Sequence, residues 1–209
     1  MLVPTDVLLI FVPAALALNL TPGNDMLFCL GQGMRAGPRA GMAASAGITV
    51  GGLIHTLIAG VGLAALLRAH PAAFEVIRWA GVAYLVYLAV QAWRQPAPDL
   101  ALRAGATGTA ARAFREAVVV NLLNPKVAVF ILAFLPQFVD PERGSTLAQF
   151  LVLGGIFNAG GMLVNLAVGG FAGTIGSWLA ARRRLARGFQ MLTGCIFLGL
   201  AARIAFERR

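Results

Sequence analysis

The chain has 209 residues, of which 59% are hydrophobic and only 12% charged, with a mean hydropathy of +0.80. A soluble domain of this length could not bury so much apolar surface, so the composition excludes a water-soluble fold and puts the chain in a bilayer. The 17 Lys and Arg against 8 Asp and Glu give a net charge of +9, but most arginines fall in short gaps between apolar runs. That reads as membrane topology, not nucleic-acid binding, and the RRRLAR cluster at Arg182–Arg187 reads as a cytoplasmic anchor.

At about 20 apolar residues per crossing, six spans are predicted near residues 7–33, 40–66, 74–93, 116–138, 147–171 and 186–206. The first has no Lys or Arg before Arg35, so it reads as a retained span and not a cleaved signal. As a straight helix it would be about 40 Å long against a hydrocarbon core of about 30 Å, so a break or tilt is expected near Pro22. The second carries His55 at mid-span and small residues at spacing four, Ala43, Gly47 and Gly51, which predict close helix packing. Trp79 and Trp93 bracket the third as interfacial anchors would, with Tyr84 and Tyr87 between them.

A Pro-, Ala- and Gly-rich linker follows, QPAPDLALRAGATGT from Gln95 to Thr109. The fourth span contains NLLNPKVAVFILAFLPQF from Asn121. The fifth places Asn158 and Asn165 seven apart, hence on one helix face, with Gly161, Gly169 and Gly173 in packing register. Its tail, GTIGSWLA from Gly173, overshoots one bilayer thickness. Cys29 and Cys195 lie within apolar runs, which fits no disulfide framework, metal-ligand spacing or cofactor site.

The linker divides the chain into residues 1–94 and 114–209, joined by 95–113 on the cytoplasmic side. LTPG at Leu20 aligns with LNPK at Leu123, GGLIHTL at Gly51 with GGMLVNL at Gly160, and GVAYL at Gly81 with GCIFL at Gly194. Three spans per half is an odd number, so the second half must insert upside down relative to the first. The predicted fold is all-α and integral to the membrane: two inverted-topology three-helix repeats with broken first and fourth helices. With both termini outside, ten arginines (Arg35, Arg39, Arg94, Arg103, Arg112, Arg115, Arg182, Arg183, Arg184 and Arg187) face the cytoplasm and six face outward. The positive-inside bias supports that orientation.

Paired Pro-interrupted apolar segments in corresponding positions point to a transporter binding site. Here they are TPGND and LNPK. Each proline removes a backbone donor and frees carbonyls before it, while the half-helix after it presents N–H groups and a positive dipole end suited to an anion. Thr21, Pro22, Gly23 and Asn24 at the first break, and Asn121, Asn124, Pro125 and Lys126 at the second, are therefore predicted to bind substrate, with Asn158 and Asn165 as further candidates. Lys126 opposes its own helix dipole and so asks for an anion: Asp25 or a substrate carboxylate. The two charges are expected to pair at rest. Asp25 is the proton-coupling candidate, with His55 a second candidate or only an interhelical hydrogen bond.

These residues resemble the lysine exporter and homoserine/threonine-resistance exporter family (LysE/RhtB). The resemblance covers nearly the whole chain and rests on LTPGNDM, GxxxGGLIHTL, RWAGVAYLVYL from Arg78 and, most specifically, NLLNPKVAVFILAFLPQFVDP. It implies a six-span bundle of inverted repeats that exports amino acids or close derivatives from the bacterial cytoplasm on the proton gradient, hence a place in the inner membrane. Pro22 and Gly23 match the family's Pro-Gly-Pro break, whereas Asn24 stands where its second proline usually does. The partners implied are a small amino-acid substrate, protons and lipid, with a homo-oligomer compatible.

The alternative is a metal-cation exporter of a related membrane fold, disfavoured by one intramembrane carboxylate, no Cys pair and a central lysine. A membrane enzyme would need a converging nucleophile, base or metal cluster, and His55 with Asp25 is too little.

Overall fold

The computed structural model describes residues 2–69, 73–94, 108–174 and 183–206, and among these all regular structure is helical. The first predicted span splits at Pro22 into α1 (Thr5–Leu20) and α2 (Asn24–Ala36), bent by 50°. Gly37, at φ 85°, turns the chain in a conformation that favours glycine and hands it to α3 (Pro38–Ala69), whose proline sits in the first turn where no donor is lost. α4 is Ala73–Arg94.

The fourth span divides at Pro125 into α5 (Ala110–Leu122) and α6 (Pro125–Ala133), and a 3-10 turn, Leu135–Phe138, lengthens the second arm; the two arms are bent by 53°. α5 starts six residues ahead of the expected 116 and takes over the end of the predicted linker. The Thr109 side chain caps it by accepting from the Arg112 N–H, and Arg112 pairs with Glu116 at 2.7 Å. A hydropathy count sees only the apolar part of such a helix. α7 (Thr146–Gly170) is capped by Ser145, and α8 (Arg183–Phe206) closes the order. Residues 95–107, most of the overshoot after Gly173 and the start of the RRRLAR cluster lie outside the described residues.

By length and composition α3, α4 and α7 can cross a membrane, and five spans result if each bent pair counts as one. The sixth predicted span corresponds to the shorter apolar stretch Gln190–Phe206 of α8.

Two antiparallel helix pairs organise the bundle. α3 and α7 run against each other along a seam of small residues: Gly41 meets Gly169, Ser45 Oγ donates to the Met162 carbonyl, Gly52 meets Asn158, and Gly154 meets Thr56. α4 and α8 pair likewise. At one end Arg78 donates to the Ile204 and Ala205 carbonyls at 2.9 to 3.2 Å, and at the other Arg187 donates to the Trp93 carbonyl. Trp93 donates to the Met191 carbonyl at 3.2 Å and lies on Gly194.

The broken spans fill the remaining sides, each packed along the other half's second helix, with α2 also lying against α3 of its own half. α5 lies along α3, with Gly47 against Phe114 and Gly51 against Asn121; α1 and α2 lie along α7, with Asn19 against Gly160 and Gly161, and Gly33 against Gly169. Among the described residues no atom lies within 4 Å of where a Cβ on Gly173 would sit. Buried Phe11, Phe130, Phe134 and Phe157 dominate the central core.

Candidate functional site

Each proline leaves the carbonyl four residues back without its helical donor. For Pro22 that carbonyl belongs to Leu18, and for Pro125 to Asn121. A side chain from elsewhere reaches both: Lys126 Nζ donates to Leu18 O at 3.4 Å and to Thr21 O at 3.2 Å, and His55 Nε2 donates to Asn121 O at 3.2 Å. The cation that opposes its own helix dipole thus sits at the negative end of α1, where the dipole favours it.

Asp25 makes the reciprocal connection. Its carboxylate accepts from Asn121 Nδ2 at 2.8 Å and Asn124 Nδ2 at 2.9 Å, so a residue of the first break is held by the second. Asn124 acts twice, because its Oδ1 also caps α6 by accepting from the Lys126 N–H at 3.1 Å. The expected resting ion pair is absent. The ion pairs of the described residues are Glu75–Arg78, Arg112–Glu116 and Asp140–Arg143, and Lys126 and Asp25 are each satisfied by carbonyls or amides exposed at a break. Nor does Asn24 cap α2: the N-cap is Gly23, with no side-chain bond, so the first-turn N–H groups of α2 stay uncapped.

A cavity of about 400 Å³ lies against these junctions. Thr21, Pro22, Gly23, Asn24, Asn124, Pro125 and Lys126 all line it. Leu27, Leu88 and Phe197 supply apolar wall, and Gln91 and Gln190 supply amides from α4 and α8. Four further candidates surround two small cavities of about 40 Å³ each, Asp25 and Asn165 lining both and Asn121 and Asn158 one, whereas His55 lines none of these three cavities. Asn158 is also tied into the helix seam, donating to Thr56 Oγ1 at 3.1 Å and the Gly154 carbonyl at 2.7 Å. The structure thus separates the candidates into a larger chamber of break residues and a smaller, amide-rich one behind it.

Gln91, Gln190 and Asn19 were not anticipated, and Tyr84 was noted only as an aromatic between Trp79 and Trp93. Asn19 donates to the Phe157 carbonyl at 3.0 Å, and the Tyr84 hydroxyl donates to Lys126 O at 3.3 Å, covering another carbonyl near the break. The available signal was polarity within an apolar run: Asn19 lies in the last turn of α1, two residues before Thr21, and Gln91 and Gln190 interrupt the third and sixth spans. Among the described residues no group of three or more His, Cys, Asp or Glu side chains could hold a metal ion.

The sequence profile of LysE type translocators matches residues 16–208. The chain belongs to this family. Among its relatives, a homoserine/homoserine lactone efflux protein of Salmonella typhimurium is 35% identical over 192 residues, covering 91% of this chain and 92% of the relative. A membrane protein of Vibrio cholerae serotype O1, described as uncharacterized, is 33% identical over 197 residues, 94% and 95% of the two chains. A leucine efflux protein of an Enterobacter species is 29% identical over 198 residues, 93% of each. No solved structure matches the chain at a significant level. As a family of translocators, it is a family of transport proteins and not of enzymes, and its bacterial relatives include proteins named for amino-acid efflux.

Proposed function

We propose that this translocator is a secondary active exporter of amino acids or close derivatives, working by proton antiport in the bacterial inner membrane with both termini outside. Its halves, 1–94 and 114–209, are inverted repeats joined by a cytoplasmic linker, a reading supported by the antiparallel pairing of α3 with α7 and α4 with α8. The observation that carries the proposal is the meeting of both proline breaks around one cavity that holds Lys126.

A zwitterion fits that chamber chemically. An ammonium has three N–H donors, and Lys126 uses two on α1 carbonyls, leaving one for a substrate carboxylate beside the uncapped N-terminus of α2. The side-chain amides of Gln91 and Gln190 lie in the same wall for the substrate ammonium, and an aliphatic side chain has Leu27, Leu88 and Phe197. The names of the relatives favour neutral substrates such as leucine and homoserine.

Asp25 is the coupling group. A protonated carboxyl is a weaker acceptor for two amide donors than a carboxylate, so a proton on Asp25 loosens the Asn121 and Asn124 bridge between the breaks. His55, which fixes the Asn121 carbonyl, supports the same junction. A metal-cation exporter gains no support, since the observed donors are amides around one carboxylate and the named relatives export amino acids.

The test is efflux from proteoliposomes loaded with a labelled panel including leucine, homoserine and lysine, with and without an imposed proton gradient. Gradient-dependent efflux of neutral members, lost in Asp25→Asn, is expected. Flux of no amino acid by the folded protein would overturn the function, and flux indifferent to the gradient would overturn the coupling.

A further inference from the structure

A second cavity, of about 140 Å³, lies at the opposite end of the bundle from Gln91 and Gln190. The start of α1, the end of the α6 arm and the end of α8 form it, and Asp6, Gln137, Phe138, Asp140, Arg143 and Arg203 are among its lining. Asp140 and Arg143 satisfy each other at 3.0 Å. Their loop is fixed from within, since buried Gln149 accepts from the Asp140 N–H at 2.9 Å and donates to its carbonyl at 2.7 Å. Asp6 and Arg203 form no ion pair among the described residues, so one carboxylate and one guanidinium remain free to face the same space.

Between this pocket and the amide-rich chamber runs an unbroken series of phenyl rings. Phe157, which lines both small cavities, is 5.0 Å from Phe130; Phe130 is 4.5 Å from Phe134; and Phe134 is 4.8 Å from Phe138, which lines the second cavity. Phe11 braces the far end, 5.2 Å from Phe138. A packed apolar constriction excludes water and charged solutes until its side chains part. The chamber behind Lys126 is therefore separated from the second cavity by hydrocarbon alone along this line.

We infer that the second cavity is a release-side binding site for the zwitterion, with Arg203 on its carboxylate and Asp6 on its ammonium, and that the phenylalanine column is the closed gate leading to it. This rests on the exporter reading above. A substrate leaving the chamber exchanges Lys126 and the glutamine amides for a guanidinium and a carboxylate, and the return of the rings behind it blocks back-flow.

Membrane vesicles of both orientations, with labelled leucine and homoserine as probes, test the assignment. Asp6→Asn and Arg203→Gln are expected to raise the KM for exchange from the release face by about fivefold or more, as for one lost charge-assisted hydrogen bond, and to leave the linker-face KM within about twofold. Phe134→Ala is expected to let the probe leak down its gradient without a proton gradient. Phe138→Ala, at the half-buried end of the column, carries the same arm should Phe134→Ala not fold. An unchanged KM on both faces, an equal rise on both, or vesicles that stay sealed with the folded Phe variant overturn the inference and leave the exporter reading standing. Absence of flux by the unaltered chain removes both.

Discussion

Asn124 shows how narrow the chemical choice at the second break is. Its oxygen accepts from the Lys126 N–H while its nitrogen donates to Asp25, so it must be donor and acceptor at once. Asn124→Asp keeps the shape but sets a second carboxylate against Asp25, and is expected to cost about 3 kcal/mol or more, read as a lower melting temperature in detergent. Lys126→Met keeps the stem and removes the ammonium that the Leu18 and Thr21 carbonyls accept from; efflux should fall at least about 10-fold, the weight of one charged hydrogen bond to substrate. At this scale the sequence marked which side chains meet at the two breaks, and not which partners they take there. A lysine and an aspartate in apolar runs stood out as functional, yet their pairing with each other was the wrong geometry. Backbone carbonyls and side-chain amides carry no formal charge, so they do not appear in any count of ionic residues, and they are what both charges found.

The helices repeat the lesson in another form. Breaks at Pro22 and Pro125 were legible because proline's missing donor and ring clash act locally, whatever surrounds them. The start of α5 was not, since Thr109 and the Arg112–Glu116 pair extend a helix where hydropathy has already ended. Pro125→Ala restores a donor for the Asn121 carbonyl and permits α5 to continue into α6. The variant is expected to fold with efflux lost, and retained efflux would show that the bend is dispensable. The α7 cap is a simpler case: Ser145→Ala removes an acceptor for the Ala148 N–H and is expected to cost about 1 kcal/mol, measurable by thermal unfolding, with efflux unaltered.

For the whole molecule, the internal alignment of GGLIHTL with GGMLVNL anticipated two glycine pairs, and the structure sets Gly51 and Gly52 on Asn121 and Asn158, and Gly160 and Gly161 on Asn19. What alignment could not supply was which half each broken span would lean on, because helix rotation is decided by packing across the bundle. The seam depends on backbone approach. Gly41→Leu puts a side chain into the backbone of Gly169 and is expected to destabilise by about 3 kcal/mol, seen as lost monodisperse protein. Orientation is open to a direct check. In a chain without Cys29 and Cys195, Glu142→Cys should react with a membrane-impermeant maleimide added outside intact cells, and Gly108→Cys should react only after lysis.

The α4–α8 pair bears on how such chains tolerate change. Arg78 rivets the pair at one end and Arg187 at the other, so the stretch between Arg78 and Trp93 has its length set to the residue. One inserted residue would swing the second rivet round the helix by about 100° and out of reach. Aliphatic identities along that stave are free to drift, whereas insertions and deletions within it should be missing from working exporters.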